Sequence, residues 1–450
     1  MKQAQPFLRL RRGSTVAGAF LRHLVLPRLF RRSARDTGPR RLRLFFETLG
    51  GAWLKLGQVL ALRFDLLPKA YCYELFGLLH DVKPTPYARV REVIRKELSD
   101  YPERLFASFC EEPFASASIG QVHQAVMHTG EEVAVKVQHP DAANLIRADI
   151  SLVYMIAAVL SLVRAVPKAL THSVIDELSR WTNEELDYRL EATHADNLRD
   201  NAARNPLQKV PVIYRHLTSA RVLTLEYIKG VPLINVYEAV KRGDEKYLEE
   251  FRATGHDLER IARNMTGNAL NQIYQDGYFH ADMHPANLFV LEDDAIAYVD
   301  FGIVGELHEE TRRLLMNYAT HLYLGYVDRA ADLLLRWVKP SKATDVQIAR
   351  EELIRAIDTY LMDRGVHMKS SRESALDVLD ILRRHHLEIS SDIAMYLKAL
   401  ITVATVTEAL APLSEINRIQ KKFFQRMFLR AIPSFLTSPG GLPQRLGTTE

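Results

Sequence analysis

Hydrophobic residues recur at helical spacing over much of the chain, and over a short stretch they alternate between the two faces of a strand. The spacing predicts a helix from Leu44 to Arg63 and another from Tyr87 to Leu98. From about residue 111 the pattern changes to β-type runs, Gln121 to Met127 and Glu132 to Gln138, joined by a turn at 128–130. In the second run Lys136 shares a face with Ala134 and Gln138, opposite three valines, so this lysine faces a specific environment.

The later part of the chain is predominantly helical. Helices are predicted at 142–165 and 172–198, and strands near 210–214 and 221–228. After residue 231 only a hairpin at 288–299, with an acidic turn, interrupts the helical pattern. A sheet-rich part followed by a helix-rich part predicts an α+β protein with two lobes.

Composition narrows the class of protein. The chain has 450 residues, of which 47% are hydrophobic and 25% charged, which is typical of a globular protein. Cys72 and Cys110 have neither disulfide-framework nor zinc-site spacing. The longest uncharged apolar run, Ile150 to Val163, has 14 residues, whereas a bilayer requires about 20. We therefore expect a cytoplasmic protein without a transmembrane helix or a signal peptide.

Positive charge is concentrated at the N-terminus. Residues 1–43 carry twelve lysines and arginines against Asp36 alone, although the net charge of the whole chain is only +4. Because apolar residues are interleaved with the arginines, this arm is suited to an anionic membrane surface. A solvated arm and a transit-type peptide are the alternatives.

Polar residues suited to phosphoryl transfer cluster between 280 and 302. Asp282 can accept a hydroxyl proton, and Asn287, five positions later, can bind Mg²⁺ together with Asp300 of an Asp-Phe-Gly segment. Two other interpretations are a transition-metal site formed by His280, Asp282 and His284, and a purely structural turn.

Phosphoryl transfer of this kind also needs a strand lysine paired with a helix carboxylate. Lys136 is the strand lysine, and the helix predicted at 172–198 offers Glu185 and Glu191. On one helix these glutamates would lie about 120° and ~9 Å apart, so they need separate partners. Lys55 and Gln58, three residues apart on one helical face, can supply the second partner.

The usual glycine-rich phosphate loops are absent from the sequence. There is neither a P-loop nor a GxGxxG lid, and Ala115 to His123 occupies the position before the lysine strand. No Ala-Pro-Glu follows Gly302, and a helical pattern begins near Glu309. Little chain therefore remains for a peptide-docking activation segment.

Together these motifs resemble the UbiB/AarF family of atypical kinase-like proteins over about residues 45–315. The matching segments are Lys55-Leu-Gly-Gln58, Phe64 to Pro68, the alanine-rich loop Ala115 to His123, the strand Val133 to Pro140, and Glu185-Leu-Asp187. The C-terminus differs from that of the quinone-biosynthesis bacterial members, because residues 391–450 contain Lys398, Glu408 and a basic stretch at 418–430 instead of membrane-spanning helices.

The resemblance implies a two-lobed protein-kinase-like fold with bound ATP or ADP and Mg²⁺. Lys136 would pair with Glu191, and Lys55, next to Gln58, would reach Glu185 across the active site. Asp282 would be catalytic, with Asn287 and Asp300 as metal ligands. The nucleotide-binding positions would be Ala115, Ala117, Ser118 and Gly120 of the loop, Lys136, and Glu226, Tyr227 and Ile228 of the hinge.

The resemblance also implies a domain order and a function. We expect a basic arm at 1–43, a helical extension over the active site at 44–110, an N-lobe at 111–230 and a mostly helical C-lobe at 231–450. The expected function is ATP hydrolysis or phosphoryl transfer on a lipid or quinone-like molecule, without nucleic acid and with a homodimer possible. The alternatives are a small-molecule kinase of the choline or aminoglycoside type and a nucleotide-switched scaffold.

Overall fold

The computed structural model describes residues 6–29, 37–61, 63, 67–75, 77–78, 84–162, 168–341, 344–362 and 370–437. The predicted family segment Phe64 to Pro68 lies mostly outside these residues. The chain forms two compact units. Unit 1 contains residues 1–204, 209–229 and 297–304, and unit 2 contains 205–208, 230–296 and 305–450.

Unit 1 combines an antiparallel five-stranded sheet with a set of helices. The helices are α1 (Pro6–Phe20), a π-helical turn (Leu21–Val25), α2 (Leu26–Leu29), α3 (Gly38–Leu49), α4 (Gly51–Ala61), α5 (Lys69–Leu75), α6 (Tyr87–Leu98), α7 (Pro102–Leu105), α8 (Ala142–Leu162), α9 (Lys168–Glu185) and α10 (Tyr188–Ala202). The strands are β1 (Ser108–Phe109), β2 (Ala115–Ser116), β3 (Gly120–Val126), β4 (Glu132–Gln138), β5 (Gln208–Lys209, at the unit boundary) and β6 (Val222–Glu226). The sheet has the order β1-β3-β4-β6, and β2 also pairs with β3.

Strand β4 positions the lysine because its side chains alternate between two environments. Val133, Val135 and Val137 are fully buried in the apolar cluster formed with α6. Lys136 consequently lies on the opposite face, in register with Val122 on β3 and Leu223 on β6.

Two helices predicted as continuous are broken, so those predictions were wrong. The helix predicted from Leu44 to Arg63 is divided into α3 and α4 at Gly50 and Gly51, both of which have positive φ angles that favour glycine. The helix predicted at 172–198 ends at Glu185, and α10 begins after Asp187, whose carboxylate accepts the N–H of Arg189 as an N-cap.

The described part of the basic arm is helical and attached to the rest of unit 1. The Arg12 guanidinium donates to both carboxylate oxygens of Asp149 on α8, at 2.7 and 2.9 Å, and to the carbonyl of Leu49 at 2.7 Å. Asp149 is fully buried, and burial raises the pKa of its carboxyl while Arg12 opposes that shift. Residues 6–29 are thus held to unit 1 at Arg12, while the alternatives of a solvated arm and a transit-type peptide stay predictions.

Unit 2 is mostly helical with short strands. Its helices are α11 (Leu233–Arg242), α12 (Glu245–Ala253), α13 (Leu258–Leu270) continued by a π-helical segment (Asn271–Asp276), α14 (Glu309–Leu324), α15 (Val327–Leu335), α16 (Val346–Met362), α17 (Ser371–Arg384), α18 (Ser391–Leu410) and α19 (Leu413–Thr437). Its strands are β7 (Val231–Pro232), β8 (Tyr278–His280), β9 (Leu288–Val290), β10 (Ile296–Tyr298), β11 (Val304–Glu306), β12 (Val338–Pro340) and β13 (Leu387–Ile389), and a unit boundary falls within β10 and within β11. Strand β7 pairs with β9, β8 with β11, and β12 with β13.

Two helices in the described part of the chain are long and apolar enough to cross a bilayer by length and composition. They are Ala142–Val159, 39% buried, and Ser391–Leu410, 61% buried, each with a mean hydropathy of 1.5. Core helices of globular proteins pass the same test. The apolar run counted in the sequence underestimated the first helix, because Arg147 and Asp149 interrupt the run but not the helix. The absence of a transmembrane helix stays a prediction.

Candidate active site

The first group of predicted site residues lies within unit 1, around Lys136. Its Nζ is 2.8 Å from Oε1 and 3.0 Å from Oε2 of Glu191 on α10, and 3.6 Å from Oδ2 of Asp300. The side chains of Lys136 and Glu191 are only 13% and 6% exposed, whereas that of Asp300 is 45% exposed. The buried ammonium of Lys136, paired with Glu191, thus lies beside the carboxylate of Asp300, which solvent or a ligand can reach.

The electrostatics of this group keep Lys136 charged. Burial lowers the pKa of the Lys136 ammonium, but Asp300 and Glu191 together outweigh burial and raise it well above its usual value. Tyr188 lies beneath the ammonium, with the ring centroid 5.2 Å from Nζ, and burial raises the pKa of its phenol so that it remains neutral. A permanently cationic group in this position is suited to binding an anion.

Helix α10 also holds the Asp-Phe-Gly segment in place. Glu191 Oε1 accepts the backbone N–H of Phe301 at 3.3 Å, and Nδ1 of His194 is 3.0 Å from the carbonyl of Phe301 and donates to it. The Asp300 carboxylate is oriented in turn by the N–H of Gly302, at 2.9 Å. Sequence reasoning missed His194, although its position three residues after Glu191, on the same helical face, was a usable signal.

Lys55 of α4 forms a second ion pair in unit 1, with Glu185 at the end of α9. Lys55 Nζ is 2.9 Å from Glu185 Oε1, and both side chains are largely buried. The other glutamate oxygen, Oε2, and the amide oxygen Oε1 of Gln58 are buried and have no hydrogen-bond partner among the described residues. Each of the two glutamates therefore pairs with its own lysine, as expected. The glutamates, however, lie on two helices, α9 and α10, and not on one.

The alanine-rich loop is a tight hairpin between β2 and β3. Ala115 and Ser116 pair with Val122 and Gln121, and the N–H of Ala117 donates to the carbonyl of Gly120 at 2.8 Å across Ser118. The hydroxyl of Ser116 is buried and has no hydrogen-bond partner in the part of the chain that the structure describes.

Only glycine fits at position 120. A Cβ there would lie 2.5 Å from the Tyr188 hydroxyl and 2.6 Å from the Val137 carbonyl oxygen. The loop therefore depends on a glycine for close packing in unit 1, although it lacks a glycine-rich sequence.

The predicted hinge follows β6 and is tied to the sheet. The N–H of Glu226 donates to the Val212 carbonyl at 2.8 Å, and that of Tyr227 to the Glu132 carbonyl at 3.1 Å. These two backbone donors bind within unit 1 and are therefore not available to an adenine ring, and adenine binding by this hinge stays a prediction. The Glu226 carboxylate pairs with Lys209 at 2.7 Å, which directs this side chain to a structural contact.

The second group of predicted site residues lies within unit 2, in the loop after β8. The N–H of Asp282 donates to Nδ1 of His280 at 3.1 Å, and the amide nitrogen of Asn287 donates to the Asp282 carbonyl at 3.0 Å. Asn287 thereby keeps its amide oxygen as the atom that can bind a cation. His284 accepts the N–H of Ala286 at Nδ1, and burial lowers the pKa of its imidazole, which favours the neutral ring.

Lys398 of α18 is part of this second group and was not predicted. Its Nζ is 3.3 Å from Oδ1 of Asp282, and its side chain is only 7% exposed. The residue is 116 positions after Asp282 in the chain, so no local spacing could have indicated the contact.

The alternative of a transition-metal site receives no support from the described residues. Within them, no group of three His, Cys, Asp or Glu side chains is arranged to hold a metal ion. His280 uses Nδ1 to accept the Asp282 N–H, and the side chain is buried. Taken separately, the carboxylate of Asp300 in unit 1 and the amide oxygen of Asn287 in unit 2 are ligand types that suit Mg²⁺ better than a transition metal.

Comparison with known proteins identifies the family of this chain. The ABC1 atypical kinase-like domain matches residues 77–333, more than half of the chain. A protein of Marinobacter nauticus named "Probable protein kinase UbiB" is 30% identical over 90% of this chain and 72% of its own length. The chain belongs to the UbiB/ABC1 family of atypical kinase-like proteins.

Other relatives support the same family fold. An uncharacterised protein of Synechocystis is 32% identical over 78% of this chain and 86% of its own length. A Mycobacterium tuberculosis protein solved as a complex with erythromycin superposes with a TM-score of 0.55 and 25% identity, covering 82% of this chain and 92% of that one. The predicted family is thus confirmed, and so is an α+β, kinase-like fold.

The ABC1 domain does not account for every residue in the two groups. Lys136, Glu191, Asp282, Asn287 and Asp300 lie within the matched residues 77–333. Lys55 and Gln58 precede them, and Lys398 follows them. The catalytic and binding roles given to all of these residues remain predictions.

Proposed function

We propose that this chain binds ATP with Mg²⁺ and catalyses ATP hydrolysis or phosphoryl transfer. The observation that carries the proposal is the buried ion pair between Lys136 and Glu191 beside Asp300. A strand lysine held by a helix glutamate, next to the aspartate of Asp-Phe-Gly, is the arrangement by which kinase-like proteins orient nucleotide phosphates.

The proposed roles follow the chemistry of each side chain. Lys136 binds the phosphates, and Asp282 accepts the proton of the attacking hydroxyl or orients it. Asp300 in unit 1 and Asn287 in unit 2 each carry an oxygen atom that would suit Mg²⁺, and the ion would neutralise charge on the phosphates when bound. The Ala115–Gly120 hairpin and the backbone of Ile228 bind the rest of the nucleotide.

We further propose that the acceptor or regulated molecule belongs to a lipid or quinone pathway. Relatives named UbiB at about 30% identity support this proposal. A short connection between Gly302 and α14, which begins at Glu309, supports an acceptor other than a peptide because it leaves little chain for a peptide-docking segment.

A direct test measures nucleotide binding and turnover on the full chain. We expect Mg-ATP to raise the melting temperature of the wild type, and we expect Lys136→Met to reduce that shift. ATP hydrolysis should fall by about 10²-fold or more in Asp282→Asn if this carboxylate performs acid–base chemistry. No Mg-ATP stabilisation of the wild type would refute the proposal. Binding with equal hydrolysis rates in wild type and Asp282→Asn would favour a nucleotide-switched scaffold.

The N-terminal helices support a peripheral association with an anionic membrane. Phe20, Leu21 and Leu26 are exposed on the basic arm, and Met155 and Val159 are exposed on α8, against which α1 packs. Apolar side chains beside arginines suit a membrane interface.

Flotation with anionic and neutral liposomes tests the membrane proposal. Replacing Phe20 and Leu21 by serine should reduce binding to anionic vesicles, whereas Leu324→Ser, an equally exposed position in unit 2, should not. Equal binding by all variants would contradict the proposal.

A further inference from the structure

We infer that Lys398 is a positioning residue that holds the carboxylate of Asp282 for the reaction proposed above, on which this inference rests. Lys398 lies in the middle of α18, and its Nζ is 3.3 Å from Oδ1 of Asp282. The lysine and aspartate side chains are 7% and 26% exposed. Because α18 lies beyond the matched residues 77–333, the contact comes from a part of the chain that the ABC1 domain does not describe.

Stability alone does not account for a lysine at this position. Between Asp392 and Glu408, α18 carries no charged side chain except Lys398. Burying an ammonium has a large desolvation cost, and well-packed apolar residues often stabilise a protein as much as a buried ion pair or more. A methionine could fill the same space without that cost, so the lysine is better explained by what it does to Asp282.

The contacts around Asp282 show what the lysine adds. His280 and Asn287 fix the backbone of Asp282 through its N–H and its carbonyl oxygen. Neither of these two contacts restrains the side chain, whereas the Lys398 ammonium engages Oδ1. Rotation of the carboxylate is therefore restricted, so that an oxygen is presented to an acceptor hydroxyl in one orientation. A displacement of about 1 Å in a catalytic group can cost about 10²-fold in rate.

The opposite side of α18 is anchored in the core of unit 2. Tyr396, two residues before Lys398 and so about 200° around the helix, has its hydroxyl 2.7 Å from that of Tyr274. Both tyrosines are buried. Tyr396→Phe is therefore a matched control, since it weakens the anchoring of the same helix and leaves the Lys398 contact unchanged.

Steady-state ATP hydrolysis by the full chain tests the inference. Lys398→Met should lower kcat by about 10- to 100-fold while the KM for ATP changes less than about twofold, because a positioning defect affects the chemical step. Lys398→Arg, which keeps a cation for Asp282, should restore part of the lost kcat. Tyr396→Phe should lower the melting temperature with kcat nearly unchanged. Wild-type kcat in Lys398→Met, or a loss confined to KM, would overturn the inference.

A double-variant cycle distinguishes action through Asp282 from a general structural effect. If Lys398 works through this carboxylate, adding Lys398→Met to Asp282→Asn should reduce kcat by less than about twofold further. A further loss as large as that of Lys398→Met alone would refute positioning. An inactive wild type that does not bind Mg-ATP would refute the proposed function, whereas an active wild type with an unaffected Lys398→Met would refute only the role of Lys398.

Discussion

Replacing Lys136 by methionine tests how much the ion pair between Lys136 and Glu191 contributes to the stability of unit 1. Methionine keeps most of the buried volume, so the main change is that Glu191, 6% exposed, loses its cation. Removing one partner of a buried pair costs about 3–5 kcal/mol. We expect the lower end, about 3 kcal/mol, because the N–H of Phe301 still donates to Glu191 Oε1 at 3.3 Å.

The loss should depend on pH in a defined direction. Burial raises the pKa of the Glu191 carboxyl, and Lys136 is the main group that opposes this shift. Without Lys136, the folded-state pKa lies above the unfolded value of about 4.3, so folding favours the protonated acid. The Lys136→Met variant is therefore least destabilised near pH 4. Its stability decreases as the pH rises through the folded-state pKa of Glu191.

Tryptophan fluorescence during urea unfolding can report on unit 1 alone. Trp53 and Trp181 lie in unit 1 and Trp337 in unit 2, so the measurements use a Trp337→Phe background. Adding Glu191→Gln to Lys136→Met should recover most of the lost stability, because the amide needs no counter-ion. A Lys136→Met variant equally stable at pH 5 and pH 8, with no recovery in the double variant, would refute the reasoning.

Three other predictions concern buried contacts that stabilise the two units. Gly120→Ala should destabilise unit 1 by about 1–3 kcal/mol and weaken ATP binding, because its Cβ would meet the Tyr188 hydroxyl at 2.5 Å; wild-type nucleotide affinity would contradict this. Arg12→Met should destabilise unit 1 by about 3 kcal/mol because it leaves the fully buried Asp149 unpaired, and Asp149→Asn should reverse most of that loss, as urea unfolding would show. Asp294→Ala should lower the melting temperature markedly, because His256, Arg260 and the N–H of Asp257 all bond to this fully buried carboxylate; an unchanged melting temperature would count against it.

Much of the local structure followed from side-chain periodicity. The alternation in β4 placed three valines in the core and Lys136 on the other face, and the observed strand has the predicted bounds, Glu132–Gln138. Helix α6 likewise begins and ends at the predicted residues, Tyr87 and Leu98. These predictions depend only on which face of an element is apolar, and sequence neighbours determine that.

The breaks between helices were not predicted, because they depend on competing local conformations. The hydrophobic spacing continues through Gly50 and through Asp187, so periodicity alone favoured single helices. In the structure, positive φ angles at Gly50 and Gly51 separate α3 from α4, and the N-cap at Asp187 begins a new helix, α10. The second break changed the geometry of the site, because Glu185 and Glu191 lie on different helices and need not share one axis.

The sequence alone indicated the family, the α+β class and the residue types for phosphate and metal chemistry, since these are encoded in short motifs. The partners of those residues depended on the tertiary structure. His194 on the Phe301 carbonyl, Arg12 on Asp149 and Lys398 on Asp282 each join positions more than 100 residues apart. Whether a buried charge is matched depends on which distant side chain packing brings within about 3 Å, and no spacing along the chain encodes that distance.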